Sequence, residues 1–297
     1  MLLQAASAAA GSQQYPAAAL YVVATPIGNL ADLTLRAIHV LSLVDAVACE
    51  DTRHTAPLLR HLGLDKPLLA VHQHNEQASS GDVIARLARG ERVAYVSDAG
   101  TPAVSDPGAA LVAAVAASGR AVVAIPGASS AITAVSVAGD TVGSGFRFIG
   151  FLPARGNERA LALKALAVAV ETQVLFEAPH RIEALVSSLA DACGARIVTL
   201  CRELTKQFET VATLPAAALP GWLAGDANRL RGEFVLVVHA VAPSESADEA
   251  VRHDVVLQTL LAELPLKQAV SLAAALSGAP RNALYARALE LKGRAAD

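Results

Sequence analysis

The segment that most constrains the fold runs from residue 93 to residue 107. A short β-branched and aromatic run, Val93–Val96, stops abruptly at the small and turn-forming residues SDAGTP (residues 97–102), and an Ala/Val/Leu-rich stretch typical of a helix follows Pro107. In an open α/β sheet, ligands bind outside the carboxyl ends of the strands, where small residues let the backbone approach them closely. Residues 97–102 are therefore a candidate ligand loop, although an ordinary βα connection has the same composition.

Two further segments repeat this pattern. The strand-like residues 20–24 are interrupted by TPIGNL at residues 25–30. The apolar residues 121–125 run into PGASS at residues 126–130. Three such strand ends favour one small-molecule pocket, and none has the G-x-G-x-x-G spacing of a dinucleotide site, which argues against NAD. Alternating short strands and helices predict a mostly parallel, helix-covered sheet over residues 20–140.

The chain is long enough for more than one α/β domain. Composition and turn signals predict an N-terminal α/β domain over residues 20–142 and a C-terminal α/β domain over residues 146–241. Residues 1–19 are rich in Ala, Ser and Gln without any charge, and we expect a disordered leader. Residues 249–297 predict a small helical extension, in which SGAP at residues 277–280 resembles the turn of a helix-turn-helix.

Composition excludes several classes of protein. The net charge of −3 and the isoelectric point near 6.2 do not fit nonspecific coating of nucleic acid, so any RNA binding must be local. No apolar run approaches the roughly 18 residues of a membrane span, and no secretory signal pattern precedes residue 19. We therefore expect a cytoplasmic protein without membrane contact. Cys49, Cys193 and Cys201 are scattered and odd in number, which predicts neither disulfides nor a metal site.

Charged residues follow several predicted strands and offer candidates for acid–base chemistry. Glu50, Asp51 and Arg53 form one cluster, although Asp at a helix start is also an ordinary N-cap. A second cluster combines Glu177, His180 and Arg181, and a third pairs Glu203 with Lys206. The candidate catalytic residues, among which no base is assigned, are Glu177, His180, Arg181, Glu50 and Asp51. A lone carboxylate is usually a cap or an ion-pair partner, so each candidate competes with a structural role.

Seven motifs, in order and at plausible spacing, resemble those of the tetrapyrrole methylase superfamily, and in particular its branch that methylates ribosomal RNA. The motifs are LYVVATPIGNLAD (20–32), CEDTR (49–53), SDAGTP (97–102), PGAS (126–129), FEAPHR (176–181), RELTK (202–206) and GEF (232–234). Each motif alone is weak, but the ordered set covers about residues 20–240. The uncharged leader and the Ala-rich helices depart from the usual pattern outside the motifs.

The resemblance implies two α/β domains with a cofactor cleft between them. It implies an S-adenosylmethionine-dependent 2'-O-methyltransferase that acts on a cytidine ribose in the decoding region of small-subunit (16S) ribosomal RNA, either free or within the assembled 30S subunit, and a homodimer. The cofactor-binding residues it implies are Pro26, Ile27, Gly28, Ser97, Asp98, Ala99, Gly100, Thr101, Gly127, Ala128, Ser129, Ser130, Phe176 and Gly232. Asp98, Thr101 and Ser129 are the first choices for direct contact.

The chemistry of the cofactor agrees with these loops. S-adenosylmethionine carries a sulfonium and no phosphate, so a pocket of close-approaching backbone with few Lys or Arg suits it. RNA phosphates require cations instead, and arginine binds phosphate in a bidentate manner. We expect Arg53, Arg181, Arg202 and Lys206 to contact RNA phosphates, with surface salt bridges as the alternative.

Two other functions stay open at this point. Another methyltransferase of the same superfamily would act on a tetrapyrrole or on a modified protein side chain, but a corrinoid methylase is not expected to carry the helical tail. A noncatalytic RNA- or nucleotide-binding protein would keep cofactor binding and lose methyl transfer. The intact set of motifs favours the RNA methyltransferase, by analogy at the level of the fold.

Overall fold

The computed structural model describes residues 1–72, 76–241 and 245–294. By their contacts, residues 1–240 form one compact unit, which carries two five-stranded sheets, and residues 241–297 form a second. Within the described residues, no helix combines the length and the apolar character needed to cross a membrane.

The first sheet is parallel throughout, as the alternation of strands and helices predicts. Its strands lie in the order β3-β2-β4-β1-β5. The strands are β1 (Ala19–Val23), β2 (Ala46–Cys49), β3 (Leu68–Ala70), β4 (Val93–Val96) and β5 (Ala121–Ile125). The helices of this half are α1 (Leu2–Ala10), α2 (Leu35–Leu43), α3 (Thr52–His61), α4 (Glu76–Ala88), α5 (Ala109–Ala117) and α6 (Ser130–Ala138).

Both faces of the central strands are buried, which explains their continuous apolar sequence. Alternate residues of β1 enter opposite cores, Tyr21 on one face and Leu20 on the other. The two buried tyrosines keep hydrogen-bond partners: the hydroxyl of Tyr21 donates to the Pro16 carbonyl (2.7 Å) and that of Tyr95 to the Pro107 carbonyl (2.6 Å). The Tyr95 bond fixes the far end of the loop that follows β4.

The second sheet is mixed. In its order β6-β7-β10-β8-β9, only β6 and β7 are parallel neighbours. The strands are β6 (Phe146–Phe151), β7 (Thr172–Glu177), β8 (Ile197–Arg202), β9 (Thr210–Pro215) and β10 (Phe234–Val238), with helices α7 (Gly156–Val168), α8 (Ile182–Cys193) and α9 (Leu219–Ala224). One helix joins the two sheets, because the alanines of α6 pack with Val174, Val235 and Val237 of the second sheet.

A single carboxylate holds the connection between the two sheets. Asp140 accepts hydrogen bonds from the Thr172 hydroxyl and the Ala240 amide, both at 2.7 Å, and from the amides of Val142 and Gly143. Burial alone would raise the pKa of Asp140, but these four donors outweigh it and lower the pKa to about 2. The segment between the two sheets is thus anchored to the start of β7 and to the residues after β10.

The prediction of a disordered leader over residues 1–19 is wrong for part of this segment, which is helical in the structure. Residues Leu2–Ala10 form α1, with Ala6 and Ala10 buried. Alanine has the highest helix propensity, and the small apolar face packs on α2 without needing charges. Tyr15 continues the contact, with its ring 5.0 Å from that of His39.

The described residues 245–294 of the C-terminal unit form three helices, α10 (Glu245–Glu263), α11 (Leu266–Ser277) and α12 (Arg281–Arg294). Leu257, Val270 and Leu284 meet in its core, one from each helix. Gly278 ends α11 in the left-handed conformation, where the sequence predicts the turn. Residues 242–244 and, within the predicted extension, residues 295–297 lie outside the described residues.

Candidate functional site

The three predicted ligand loops lie side by side at the carboxyl end of the first sheet. Thr25, after β1, and Gly100, after β4, exchange two backbone hydrogen bonds of 2.9 and 3.1 Å. The Thr101 hydroxyl donates to the Ala128 carbonyl (3.0 Å) and so ties the β4 loop to the loop after β5. Gly127 has no room for a side chain, because a Cβ there would lie 2.9 Å from that of Ala24. The loops form one connected surface.

The RELTK segment (residues 202–206), which begins at the end of β8, lies against this surface. The Lys206 side chain crosses Gly28, so that a Cβ on Gly28 would be 2.6 Å from the Cγ of Lys206. The Asn29 side-chain amide donates to the Thr205 carbonyl (3.2 Å). Gly28 has a φ of +142°, which a residue with a side chain rarely adopts. The sequence TPIGN therefore suits close approach to the RELTK segment.

A first cavity of about 370 Å³ lies between the loops and the second sheet. Its lining residues are Ile27, Ala99, Ser105, Asp106, Ser130, Phe151, Phe176, Glu177, Ala178, Pro179, Leu204, Glu233, Phe234 and Val235. None of the described residues that line it is a lysine or an arginine. Three are carboxylates, Asp106, Glu177 and Glu233. The Phe176 ring packs edge-on against Phe151, with centroids 5.6 Å apart.

The electrostatics of this cavity favour a cation. Burial raises the pKa of Asp106, and the nearby charge of Asp98 adds to the effect. A positive group in the cavity would relieve the repulsion between these carboxylates, and aromatic faces also attract cations. The lining thus combines negative charge with apolar and aromatic surface.

Glu177 is the most buried of these carboxylates, with a side chain that is 0% exposed. Its Oε1 lies 3.0 Å from Nε of Arg181, and its Oε2 lies 3.7 Å from Nη1 of Arg159. The Arg181 guanidinium also donates to the Leu152 carbonyl (2.7 Å). Oε2 of Glu177 has no hydrogen-bond partner in the described part of the chain. The cluster holds the turn after β7 against the end of β6.

A second cavity, of about 400 Å³, lies on the other side of the β1 loop. It is lined by Thr25, Pro26, Ile27, Gly28, Leu30, His54, Thr55, Pro57, Leu58, Ser97, Asp98, Ala99, Lys206 and Glu233. Three residues, Ile27, Ala99 and Glu233, border both cavities. Unlike the first cavity, the second has a lysine and a histidine in its wall.

His54 enters this wall from the first turn of α3. Its Nδ1 lies 2.8 Å from Oδ2 of Asp98, and Oδ1 of Asp98 accepts from the Asp51 amide (3.2 Å). The hydrogen bond to Asp98 and the charge of that residue raise the pKa of His54. In the described part of the chain, Asp51, His54 and Asp98 are the one group spaced closely enough to hold a metal ion, with ligand atoms within 4.8 Å of one another. Their direct hydrogen bonds already account for this spacing.

Lys206 occupies the opposite wall. Its Nζ lies 2.8 Å from Oε1 of Glu203 and 3.0 Å from Oε2 of Glu233. Burial would lower the pKa of Lys206, but these two carboxylates outweigh it and raise the pKa, so the ammonium stays charged at neutral pH. Gly232, with a φ of +96°, leaves room for Glu203, because a Cβ there would lie 2.5 Å from the Cγ of Glu203.

The cofactor residues implied by the resemblance divide between the two cavities. Ser130 and Phe176 line the first cavity. Pro26, Gly28 and Ser97 line the second, and Ile27 and Ala99 line both. The residues that line neither cavity include Gly100, Gly127, Ala128 and Gly232.

The three first choices for direct cofactor contact do not line the first cavity. Asp98 faces His54, and the Thr101 hydroxyl is used by Ala128. Ser129 is the N-cap residue of α6, and the next residue, Ser130, lines the cavity instead.

The candidate RNA contacts fall into two groups. Arg53 is 87% exposed and is paired with Asp51, and Lys206 lines the second cavity. Arg202 corrects the expectation of a phosphate contact: it is buried, with Nε bonded to the Arg231 carbonyl (2.6 Å) and Nη1 to the Phe208 carbonyl (3.1 Å). Arg181 is likewise engaged by Glu177. The side chains of Arg202 and Arg181 thus stabilise turns that follow strands of the second sheet.

The other base candidates have different surroundings. His180 is exposed in the turn after β7. Burial raises the pKa of Glu50, with smaller contributions from the charges of Asp106, Asp98 and Asp51, but Glu50 lines neither cavity. The Arg53 side chain lowers the pKa of Asp51 to about 2. The sequence analysis predicts no contact for His54, although this residue directly follows Arg53 in the sequence EDTRH (residues 50–54).

Comparisons with known proteins match this architecture. The sequence profile of the family described as Tetrapyrrole (Corrin/Porphyrin) Methylases matches residues 19–220, and that of the RsmI C-terminal HTH domain matches residues 246–292. Ribosomal RNA small subunit methyltransferase I of Pseudomonas aeruginosa is 46% identical over 283 residues, which cover 94% of this chain and 99% of that protein. The chain belongs to this family of tetrapyrrole methylases. Its fold is therefore that of a methyltransferase family.

Other members and solved structures agree. The Escherichia coli O157:H7 protein of the same name is 45% identical over 92% of this chain and 96% of its own length. A diphthine synthase structure shares the tetrapyrrole methylase fold, with a TM-score of 0.57 at 16% identity over 74% of this chain and 90% of that one. The structure of uroporphyrin-III C-methyltransferase from Thermus thermophilus, complexed with S-adenosyl homocysteine, gives a TM-score of 0.52 at 15% identity over 74% of this chain and 96% of that one.

Proposed function

We propose that this protein transfers a methyl group from S-adenosylmethionine to the 2'-hydroxyl of a cytidine ribose in the decoding region of small-subunit ribosomal RNA. The observation that carries the proposal is the pair of adjoining cavities, which share Ile27, Ala99 and Glu233 and differ in charge. Transfer of a group requires the donor and the acceptor to lie next to each other, and two adjoining cavities can hold two molecules in this way. The relatives named as ribosomal RNA methyltransferases supply the class of acceptor.

The residues of the first cavity fit S-adenosylmethionine. Its volume of about 370 Å³ falls within the usual range for small-molecule sites, about 300–1,000 Å³. Carboxylates without lysine or arginine suit a sulfonium and an ammonium, and Phe151 and Phe176 offer apolar surface to a purine. A structural relative of the same fold holds the demethylated form of this molecule. When bound, the cofactor supplies an electrophilic methyl group.

The second cavity fits a ribose with flanking phosphates. Lys206 places an ammonium in its wall, and the exposed guanidinium of Arg53 belongs to the residue next to His54. An exposed cation such as Arg53 attracts a polyanion, while the carboxylates beside Lys206 hold its ammonium in place. Alignment of hydroxyl, methyl and sulfur in an enclosed site accounts for much of the acceleration of such a displacement.

The test uses small ribosomal subunits from cells that lack the modification. The purified protein is incubated with these subunits, or with free 16S ribosomal RNA, and with methyl-labelled S-adenosylmethionine, and the labelled nucleotide is mapped. We expect label on the ribose of one cytidine in the decoding region. Binding of the cofactor without label on either RNA substrate would overturn the proposal, and label on a tetrapyrrole or a protein side chain would assign the protein to another branch.

A further inference from the structure

We propose that His54 is the general base that removes the proton of the attacking hydroxyl, and that Asp98 positions its imidazole. The inference rests on the proposed function and adds to it the group that activates the acceptor. A ribose hydroxyl is a poor nucleophile until it loses its proton, so a base must lie within hydrogen-bond reach. The two residues form a carboxylate–imidazole pair on the wall of the second cavity.

The hydrogen bond to Asp98 uses Nδ1 of His54 and leaves Nε2 as the nitrogen that can accept a proton. The 2.8 Å contact between Nδ1 of His54 and Oδ2 of Asp98 favours the tautomer with its proton on Nδ1. Asp98 is itself held by the Asp51 amide at 3.2 Å. Nε2 of His54 has no hydrogen-bond partner among the described residues, and the residue lines the second cavity. Its lone pair is thus free to accept a proton, as in other carboxylate–histidine pairs.

The charges around His54 adjust its basicity. Asp98 and Asp51 lie on its own side of the cavity and raise its pKa above the ordinary value of 6.5, while Arg53 opposes them. Lys206 and Glu233 face it from the opposite wall. Lys206 is paired with Glu203 and Glu233, so its positive charge is largely balanced. The pKa of the imidazole therefore lies above its ordinary value, which makes His54 a stronger proton acceptor than a free imidazole.

The other candidates are less suited to the role. The pKa of Asp51 is about 2, because Arg53 binds its carboxylate, so it is a weak base. The Glu177 side chain is fully buried at the first cavity, and each of its carboxylate oxygens faces an arginine. Lys206 is protonated at neutral pH. Among the described residues that line the second cavity, His54 is the one imidazole, and its Nε2 has no hydrogen-bond partner.

The proposed step is balanced. The bond between the ribose oxygen and the methyl carbon forms while the bond between that carbon and sulfur breaks. The sulfur keeps the electron pair and becomes a neutral thioether. The hydroxyl proton passes to Nε2 of His54, and the resulting imidazolium, stabilised by Asp98, returns it to water. No oxidant, reductant or metal is required.

The test compares His54→Ala with His61→Ala, which changes an exposed histidine on the same helix outside both cavities. Single-turnover methyl transfer is measured with the acceptor that the wild-type protein labels. General-base catalysis contributes about 10²–10⁴-fold, so we expect His54→Ala to lose a factor of that order and His61→Ala to match the wild type. Calorimetry should show unchanged cofactor affinity for both variants. Added imidazole should partly restore His54→Ala, because the side chain it replaces is 65% exposed.

The pH profile distinguishes a base from a structural residue. The wild-type rate should rise with pH through the raised pKa of His54 and then level off, since only neutral imidazole accepts the proton. In Asp98→Asn the inflection should fall toward 6.5 and the plateau should drop. An unchanged rate and profile in His54→Ala, or equal losses of RNA and cofactor binding, would overturn the assignment. A wild-type protein that methylates no acceptor would instead overturn the proposed function and this step with it.

Discussion

The two cavities share a wall but differ in charge. The first has three carboxylates and two phenylalanines without lysine or arginine among its described residues, whereas the second has His54 and Lys206 beside the carboxylates of Asp98 and Glu233. The shared residues Ile27 and Ala99 are apolar and provide contact surface without charge. The comparison teaches that the charge of each cavity comes from the segments around the shared loops, and the proposed function assigns a cation to the first cavity and a polyanion to the second.

The same contrast extends to how the charged side chains are held. Around the first cavity, Glu177 is fully buried and its arginines are mostly covered. Around the second, the pair of Arg53 and Asp51 lies at the surface, where such pairs contribute little to stability. Charge at the first cavity is therefore part of the fold, and charge at the second is available to a ligand.

The largest expected effect comes from removing the buried carboxylate. Glu177→Ala leaves Arg159 and Arg181 without their partner, and breaking a buried ion pair costs about 3–5 kcal/mol in the free energy of unfolding. Urea denaturation followed by circular dichroism measures the change. The control is Glu183→Ala on α8, whose side chain is exposed and whose loss should cost less than about 0.5 kcal/mol. Equal midpoints for the two variants would show that the first cavity does not depend on this pair.

The second prediction concerns the shared loop. In Gly28→Ala the new Cβ would meet Lys206 at 2.6 Å, and the φ of +142° would strain the backbone by about 1–3 kcal/mol. We expect lower stability and weaker RNA binding, because Lys206 must leave its two carboxylates. Gly81→Ala on α4 is the matched control: it has open space, and alanine should stabilise the helix by about 0.5–1 kcal/mol. Identical effects of both changes would contradict the proposed approach of Lys206.

Much of the first sheet could be predicted from the sequence, because each feature depends on local composition. Short apolar runs that end in Gly, Pro and Ser indicate parallel strands with ligand loops, and the structure places the three loops together. The leader was predicted less well. Residues Leu2–Ala10 lack charge and look like low-complexity sequence, and their burial against α2 depends on a contact that no local pattern encodes.

The limits of prediction from the sequence are clearer at the candidate site. Arg202 and Arg53 look equally suited to phosphate in the sequence, but Arg202 bonds two carbonyls inside the second half. The pairing of His54 with Asp98 joins residues 44 positions apart. Local patterns show which residue types follow each strand; the direction of a side chain and its distant partner depend on the packing of two sheets.

A smaller effect is expected from the aromatic wall of the first cavity. Phe176→Leu keeps an apolar side chain but removes the ring that packs on Phe151, and aromatic contacts are worth about 0.5–1.5 kcal/mol beyond their buried area. We therefore expect cofactor affinity to fall by up to about tenfold in calorimetry, with RNA affinity unchanged. The control Phe208→Leu changes a ring that is 67% exposed and outside both cavities. A loss of RNA affinity in Phe176→Leu would assign this wall to the acceptor instead.

The smallest effect tests the outer charge of the second cavity. Arg53→Ala should weaken RNA binding at low salt and reduce the slope of log affinity against log salt by about 1, because one phosphate contact is lost. Cofactor affinity should not change, since Arg53 lies outside the first cavity. The control is Arg60→Ala, an exposed arginine at the other end of α3 that lines neither cavity. If the two variants show the same salt slope as the wild-type protein, the polyanion is bound elsewhere, and the difference in charge between the cavities does not choose the ligand.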